Sequence, residues 1–178
     1  MLTKADIRKQ MREEKRMMAP WEKICKSEAV MEELERMPEF QRAEVVLLYW
    51  SMDDEVQTHS FVERWYGQKT VLLPCVAGDN LLLRQYKGPA SMTPGEQFGI
   101  LEPTGEVWTD LDAVQLIVVP GVAFDEHNNR MGRGRGFYDR LLKLTPRALK
   151  VGVAYTFQVL SEIPVDPFDV PMDAVICD

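Results

Sequence analysis

The sequence predicts an α/β protein: a single three-layer domain over residues 1–178, with a mostly parallel central sheet flanked by helices. Three observations carry this expectation. Apolar runs such as Glu44–Trp50 (EVVLLYW) show no polar alternation, as strands covered on both faces do. Stretches with apolar residues at helical spacing separate those runs. A chain of 178 residues with 46% hydrophobic content encloses a substantial core, yet has no run near the roughly 20 apolar residues a membrane span needs.

The elements follow in order. Thr3 and Asp6 resemble a capping box, and Ile7, Met11 and Met18 place one apolar stripe on a first helix. Pro20 suits a second helix start, with Trp21, Ile24, Cys25 and Leu34 along it and Pro38 as its stop. Glu44–Trp50 is the first strand, 58–66 a helix, 70–74 and 80–86 further strands. Residues 87–112, with three prolines and four glycines, read as a long loop, a kind that is usually functional or mobile. A strand at 114–119, a helix at 137–144, a strand at 149–154 and a last strand at 174–177 complete the series. In such sheets ligands bind off the carboxyl ends of the strands, where Trp50–Glu55, Pro74, the segment after Val119 and Tyr155–Gln158 would converge.

The most informative stretch is 118–142, VVPGVAFDEHNNRMGRGRGFYDRLL. Gly132, Gly134 and Gly136 alternate with Arg133 and Arg135 immediately before a helix. Glycines let backbone N–H groups approach an anion, the helix start adds its positive dipole end, and arginines add fixed charge. The pattern suits a phosphate cradle, with Asp139 a candidate ligand for the magnesium that nucleoside triphosphates carry; it equally suits a solvated turn with a dipole-complementing acid. G-x-G-x-G is neither a Walker A loop nor a dinucleotide fingerprint.

Charge favours the first alternative. The chain carries −7 overall, yet residues 130–150 hold seven bases against Asp139 alone, a local +6. A focused basic segment on an acidic protein suits a small polyanion, whereas a nucleic-acid track needs a more extended basic surface. Salt bridging to the acidic tail (Asp166, Asp169, Asp173, Asp178) is the competing reading. Three scattered cysteines and two histidines make no zinc cluster and read as reduced, buried cysteines and structural histidines.

PGVAFDEHNNRMGRGRGFYDRLL resembles the signature of the 5-formyltetrahydrofolate cyclo-ligases. Lys4-x-x-x-Arg8, Ser51–Thr58, Leu73-Pro74, Gly99–Pro103, Ala154-Tyr155 with Gln158, and Asp173–Ile176 agree in the same order. The resemblance implies ATP- and magnesium-dependent closure of 5-formyltetrahydrofolate to the 5,10-methenyl form. It implies a nucleotide site of Lys4, Arg8, Arg130, Met131, Gly132, Arg133, Gly134, Arg135, Gly136, Phe137 and Tyr138, in which Arg133 and Arg135 steady the transferred charge. Glu55 would hold the pterin edge, with Trp50, Met52, Phe137 and Tyr155 as walls; for Trp50, core packing is an equal alternative. Asp139 and Asp173 would be the magnesium carboxylates. Cys75 replaces a commonly basic residue, and Phe137 a commonly first tyrosine. The expected protein is a cytoplasmic monomer acting on small molecules, with no nucleic-acid or membrane partner. A non-catalytic nucleotide-binding regulator on the same scaffold and a phosphosugar isomerase are the rival readings; ATP turnover that depends on folate separates them.

Overall fold

The computed structural model describes residues 1–97 and 99–178. Its first helix, α1 (Lys4–Arg16), begins at the expected cap: Thr3 Oγ1 accepts from the Asp6 amide at 3.1 Å, and Asp6 Oδ2 accepts from the Thr3 amide at 3.0 Å. Pro20 is the first residue of α2 (Pro20–Arg36). Pro38 does more than stop that helix. It holds Met37 extended, as prolines hold the residue before them, and itself opens a short α3 (Pro38–Arg42).

The buried face of α2 differs from the expected one. Ser27, Val30, Met31 and Leu34 face the core, whereas Trp21 is 68% and Ile24 56% exposed and Cys25 is also exposed. The inward face is set by which side of the helix meets the sheet, and bulky residues at the first turn lie on the other side.

Strand β1 (Val45–Leu47) is shorter than its apolar run, because Leu48–Trp50 already turn into the loop that precedes α4 (His59–Trp65). β2 (Thr70–Ala77) and β3 (Asn80–Gln85) form a hairpin. Residues 87–112 are less irregular than expected, since β4 (Met92–Pro94) and β5 (Leu101–Pro103) pair within them. After β6 (Leu116–Val119) come three short strands that local pattern does not announce. These are β7 (Ala123–Asp125), β8 (Arg130–Met131) and, beyond α5 (Phe137–Lys143) and β9 (Leu149–Ala154), β10 (Val159–Leu160). The last strand is β11 (Ala174–Cys177).

The central sheet runs β11-β9-β6-β1-β2-β3 and is parallel except for the edge strand β3. One face packs under α2, α3 and α4, through Val30, Leu34, Phe40, Phe61 and Val62 against Val46, Val71, Val118 and Val151. The other lies under α5 and the β7–β8 hairpin, where Leu141, Leu142 and Phe124 meet Leu47, Leu72, Ile117 and Val119. Each such side chain, fully removed from water, stabilises by roughly 1.5–3 kcal/mol. A smaller sheet, β10-β7-β8, joins α1 to this body through Ile7, Met11, Ala123, Met131 and Ile163. Phe124 packs so closely on β9 that a Cβ at Gly152 would stand 2.5 Å from its ring.

Candidate active site at the carboxyl ends of the strands

β1, β6 and β9 leave the sheet into segments carrying polar side chains, which Arg133–Asp54, Tyr155–Glu55 and Gln158–Gly121 hydrogen bonds join. From β6 the chain passes Pro120, descends β7, turns at Asn128 and returns up β8 to the glycine loop. Asp125 secures that turn. Its buried carboxylate accepts from the amides of His127 and Asn129 at 3.0 Å, Asn129 Nδ2 at 3.0 Å and the Ile163 amide at 3.1 Å. Burial alone would raise its carboxyl, but those donors outweigh it and hold it below the ordinary carboxylate range.

The loop Gly132–Gly136 has the backbone its glycines permit. Gly134 (φ 107°) and Gly136 (φ 71°) lie in conformations that side chains with a Cβ rarely adopt. Gly136 is the residue from which α5 starts. Arg8 of α1 donates from Nε to the Gly132 carbonyl at 3.1 Å, so α1 does lie along the loop. Lys4, one turn earlier, is held by Asp166 at 2.7 Å and Asp169 at 3.1 Å; against the lowering effect of burial, these two carboxylates raise its pKa. Arg130 is only 7% exposed. Its Nε donates to the Pro120 carbonyl at 2.7 Å, its guanidinium lies over the Tyr138 ring, and its Nη atoms lie beside Gly132. Arg135 is exposed, 5.2 Å from the Phe137 ring centroid. The Gln97 amide, turned oxygen-first, accepts from both its Nη atoms at 3.1 Å.

The loop after β1 supplies the opposing wall. Glu55 Oε1 accepts from the Met52 amide at 2.9 Å, and Oε2 lies 4.0 Å from Arg133 Nη2. Burial raises the Glu55 carboxyl, an effect the Met52 amide and Arg133 offset only in part. A narrow crevice lined by Tyr49, Glu55, Val56, Pro120, Gly121, Val153 and Gln158 opens beside it. Arg133 itself grips Asp54 through Nη2, at 3.0 and 3.2 Å. Burial, then the nearby Glu55, raises the Tyr138 hydroxyl.

Of the expected walls, Met52 and Phe137 are partly exposed at this site, and Trp50 stacks on His59 at 3.8 Å and near Tyr86 at 5.7 Å. Tyr155 is fully buried and offers no surface. It donates to the Glu55 carbonyl at 3.0 Å, and its hydroxyl lies 3.3 Å from Ser27 Oγ, so it braces the Glu55 loop instead of lining the pocket.

The expected carboxylate pair is not brought together. Asp173 sits before β11 at the amino end of the sheet, its Oδ2 accepting from the Lys150 amide at 2.8 Å. The acid placed near Asp139 is Asp169. Val170 donates to Asp139 Oδ1 at 3.1 Å, and Asp139 and Asp169 both act on the buried Arg130 charge. Among the described residues no three His, Cys, Asp or Glu side chains enclose a metal position. Asp139 Oδ2 has no hydrogen-bond partner among them, however, and suits an ion that brings phosphate and water oxygens of its own.

The basic segment is also divided. Arg130, Arg133 and Arg135 belong to the glycine loop and Arg140 reaches the Asp79 carbonyl. Arg147 and Lys150 line a cavity of about 400 Å³ at the amino ends of the strands, with Arg42, Glu39 and Asp173. Among the described residues no salt bridge joins a signature arginine to the acidic tail, although the charge of Asp169 acts on Arg130. Local pattern did not single out Asp54, Asp169, Asp125, Ser27 or Lys15. For Lys15 a signal exists, because it interrupts the apolar stripe between Met11 and Met18. The others owe their roles to partners distant in sequence.

A family model described as the 5-formyltetrahydrofolate cyclo-ligase family matches residues 1–178. A 5-formyltetrahydrofolate cyclo-ligase from Haemophilus influenzae is 34% identical over 142 residues, 75% of each chain. One from Escherichia coli is 33% identical over 147 residues, 78% of this chain and 80% of that one. The solution structure of a 5,10-methenyltetrahydrofolate synthetase from Aquifex aeolicus superposes with a TM-score of 0.87 at 38% identity, covering 98% of this chain and 89% of that one.

Proposed function

The chain belongs to the 5-formyltetrahydrofolate cyclo-ligase family, and from that premise we propose how its residues 1–178, acting as one domain, close 5-formyltetrahydrofolate to 5,10-methenyltetrahydrofolate at the expense of ATP. One observation carries the reading. An arginine of the phosphate-type loop, Arg133, stands 4.0 Å from a buried carboxylate, Glu55, that belongs to a different wall. Two ligands held by those two walls would meet there, which is what transfer of a group between them requires.

The glycine-loop amides, Arg8, Arg130 and Arg135 bind the triphosphate, and Lys4 approaches it from the same face of α1 once its carboxylate partners yield. Asp139, with Asp169 nearby, would hold the magnesium; when bound, that ion neutralises phosphate charge. Glu55 accepts the donors of the amino-pyrimidinone edge, with Met52, Phe137 and Trp50 beside the rings and Tyr155 fixing the Glu55 backbone. The formyl oxygen then attacks the γ-phosphorus: the new O–P bond forms as the bond to the β-phosphate oxygen breaks, and ADP departs. N10 attacks the activated carbon next. The N10–C bond forms, the C–O bond breaks, phosphate leaves with its electron pair, and the N10 proton passes to solvent or phosphate. Arg133 and Arg135 counter the charge on the moving group throughout.

The test follows methenyl product by its near-ultraviolet absorbance in the complete mixture and with ATP, magnesium or folate omitted. Product only in the complete mixture is the expected result. A folded protein that binds ATP and makes no product would leave a nucleotide-binding regulator as the better reading.

A further inference from the structure

Those steps leave one largely buried lysine of α1 without a task. Lys15 is 8% exposed, and among the described residues no hydrogen bond or ion pair reaches its ammonium. Its methylene stem is buried while the ammonium keeps contact with water, as lysines that cover their stems do. Partners exist close by. The charges acting on Lys15 are those of Asp54, Arg133, Glu55 and Lys23, in that order of strength. Yet Asp54 is taken by Arg133 and Glu55 by the Met52 amide, while Lys23 donates to the Asp53 carbonyl at 3.1 Å. The ammonium is therefore held beside the meeting point of the two walls with its donors uncommitted.

Its position on α1 is equally specific. Lys4, Arg8, Met11 and Lys15 fall on one stripe of the helix, at spacings of four, three and four. Met11 packs on the small sheet, which fixes the stripe's direction. Arg8 touches the glycine loop, and Lys15 lies about 10 Å further along the axis at 1.5 Å per residue, where the charges of Asp54 and Glu55 act on it. The stripe thus runs from the nucleotide side to the folate side of the site.

Resting on the cyclo-ligase reading, we propose that Lys15 is a further substrate-contacting residue of this reaction, one that binds the phosphoryl group after it has left the nucleotide for the formyl oxygen. The negative charge that arrives between Arg133 and Glu55 in this reaction is that of the transferred group. Lys15 forms no covalent bond and moves no proton; it supplies charge at the place where the loop arginines hand the group over. The carboxylate tail of the folate is the other anion that could reach a lysine, and the assay distinguishes it.

The experiment compares the wild-type enzyme with Lys15→Met and Lys15→Arg in the complete reaction with magnesium and ATP. With Lys15→Met, kcat should fall about 10²-fold, a typical loss for one charge-stabilising donor, with the KM for ATP nearly unchanged. Lys15→Arg should restore most of kcat. The loss should persist with 5-formyltetrahydropteroate, which lacks the glutamate. An unchanged kcat in Lys15→Met, a loss that disappears with the tail-less substrate, or a defect confined to the KM for ATP overturns the proposal. Should Lys15→Met fail to fold, the pH profile of Lys15→Arg decides. Loss of an alkaline limb present in the wild type supports the assignment, and coincident profiles overturn it. A wild-type protein with no turnover at all refutes the cyclo-ligase reading, a different outcome from any of these.

Discussion

Glu55 illustrates how one residue's environment separates stability from function. Burial raises its carboxyl, so between the ordinary carboxylate pKa and the folded value the native state holds more protons than the unfolded one. Native stability then declines as pH rises through that window, and at neutral pH the buried charge is a net cost. Glu55→Gln should raise Tm at pH 7 and lose that advantage at acid pH, while its turnover drops at least tenfold because an amide presents a donor where the pterin edge needs an acceptor. Thermal unfolding at the two pH values and the product assay check both halves. Arg135, exposed and engaged among the described residues by Gln97 and the Phe137 ring, has little structural work. Arg135→Ala should leave Tm within about 1–2 °C, in line with surface substitutions, and reduce kcat by about 10²-fold as expected for one charge-stabilising donor. The loop arginines were legible from sequence because a Gly/Arg alternation is itself a local pattern. The bracing position of Tyr155 is not legible in sequence, because its hydroxyl partners lie on α2 and the Glu55 loop, 128 and 100 residues away.

At the scale of elements, the β7–β8 hairpin presents the glycine loop, and Asp125 holds the hairpin in shape. Its carboxyl is depressed in the native state, so it stabilises the fold above its ordinary pKa, and that contribution disappears as pH falls through the folded value. Asp125→Ala should cost about 3 kcal/mol at neutral pH, the loss of several charge-assisted hydrogen bonds at a buried site, and the difference from wild type should shrink in acid. Urea unfolding at pH 7 and at pH 3 measures this. The same hairpin depends on Phe124 packing closely on β9: a side chain at Gly152 meets that ring within 3 Å. Gly152→Val should therefore destabilise by roughly 1–3 kcal/mol, the usual cost of overpacking, visible as a lower urea midpoint with unchanged slope. α1, with its Thr3 cap, was readable in advance, since caps and helical stripes are local. The two-residue strands β8 and β10 were not, because so short a run has no period and owes its pairing to β7.

At the scale of the whole molecule, the parallel sheet sorts the conspicuous charges to its two ends. Asp139 and Asp169 stand near the glycine loop; Asp173, Arg147 and Lys150 stand at the amino ends of the strands. Asp139→Asn and Asp169→Asn should each raise the magnesium concentration needed for half-maximal activity about tenfold or more, as expected for weakening one of the two carboxylates such an ion takes. Asp173→Asn and Arg147→Ala should leave that concentration and kcat within about twofold of wild type, their effects confined to stability as for residues remote from a site. A magnesium titration of the four variants tests the division, and an Asp173 effect equal to that of Asp139 would refute it. Among the described residues no helix is long and apolar enough to cross a membrane.

The sequence by itself determined the α/β class, the order of the principal elements, the glycine loop and the family, because each rests on contiguous residues or on a conformational demand that a short stretch states in full. Only the tertiary structure decided that Asp173 lies at the far end of the sheet from Asp139, that Tyr155 is buried beneath the Glu55 loop, that α2 turns Trp21 and Ile24 to solvent, and that Lys15 of α1 faces inward. Those outcomes depend on which strand ends share a side of the sheet and which helix faces meet it. Such facts are set by packing among residues a hundred or more positions apart, and no local period records them.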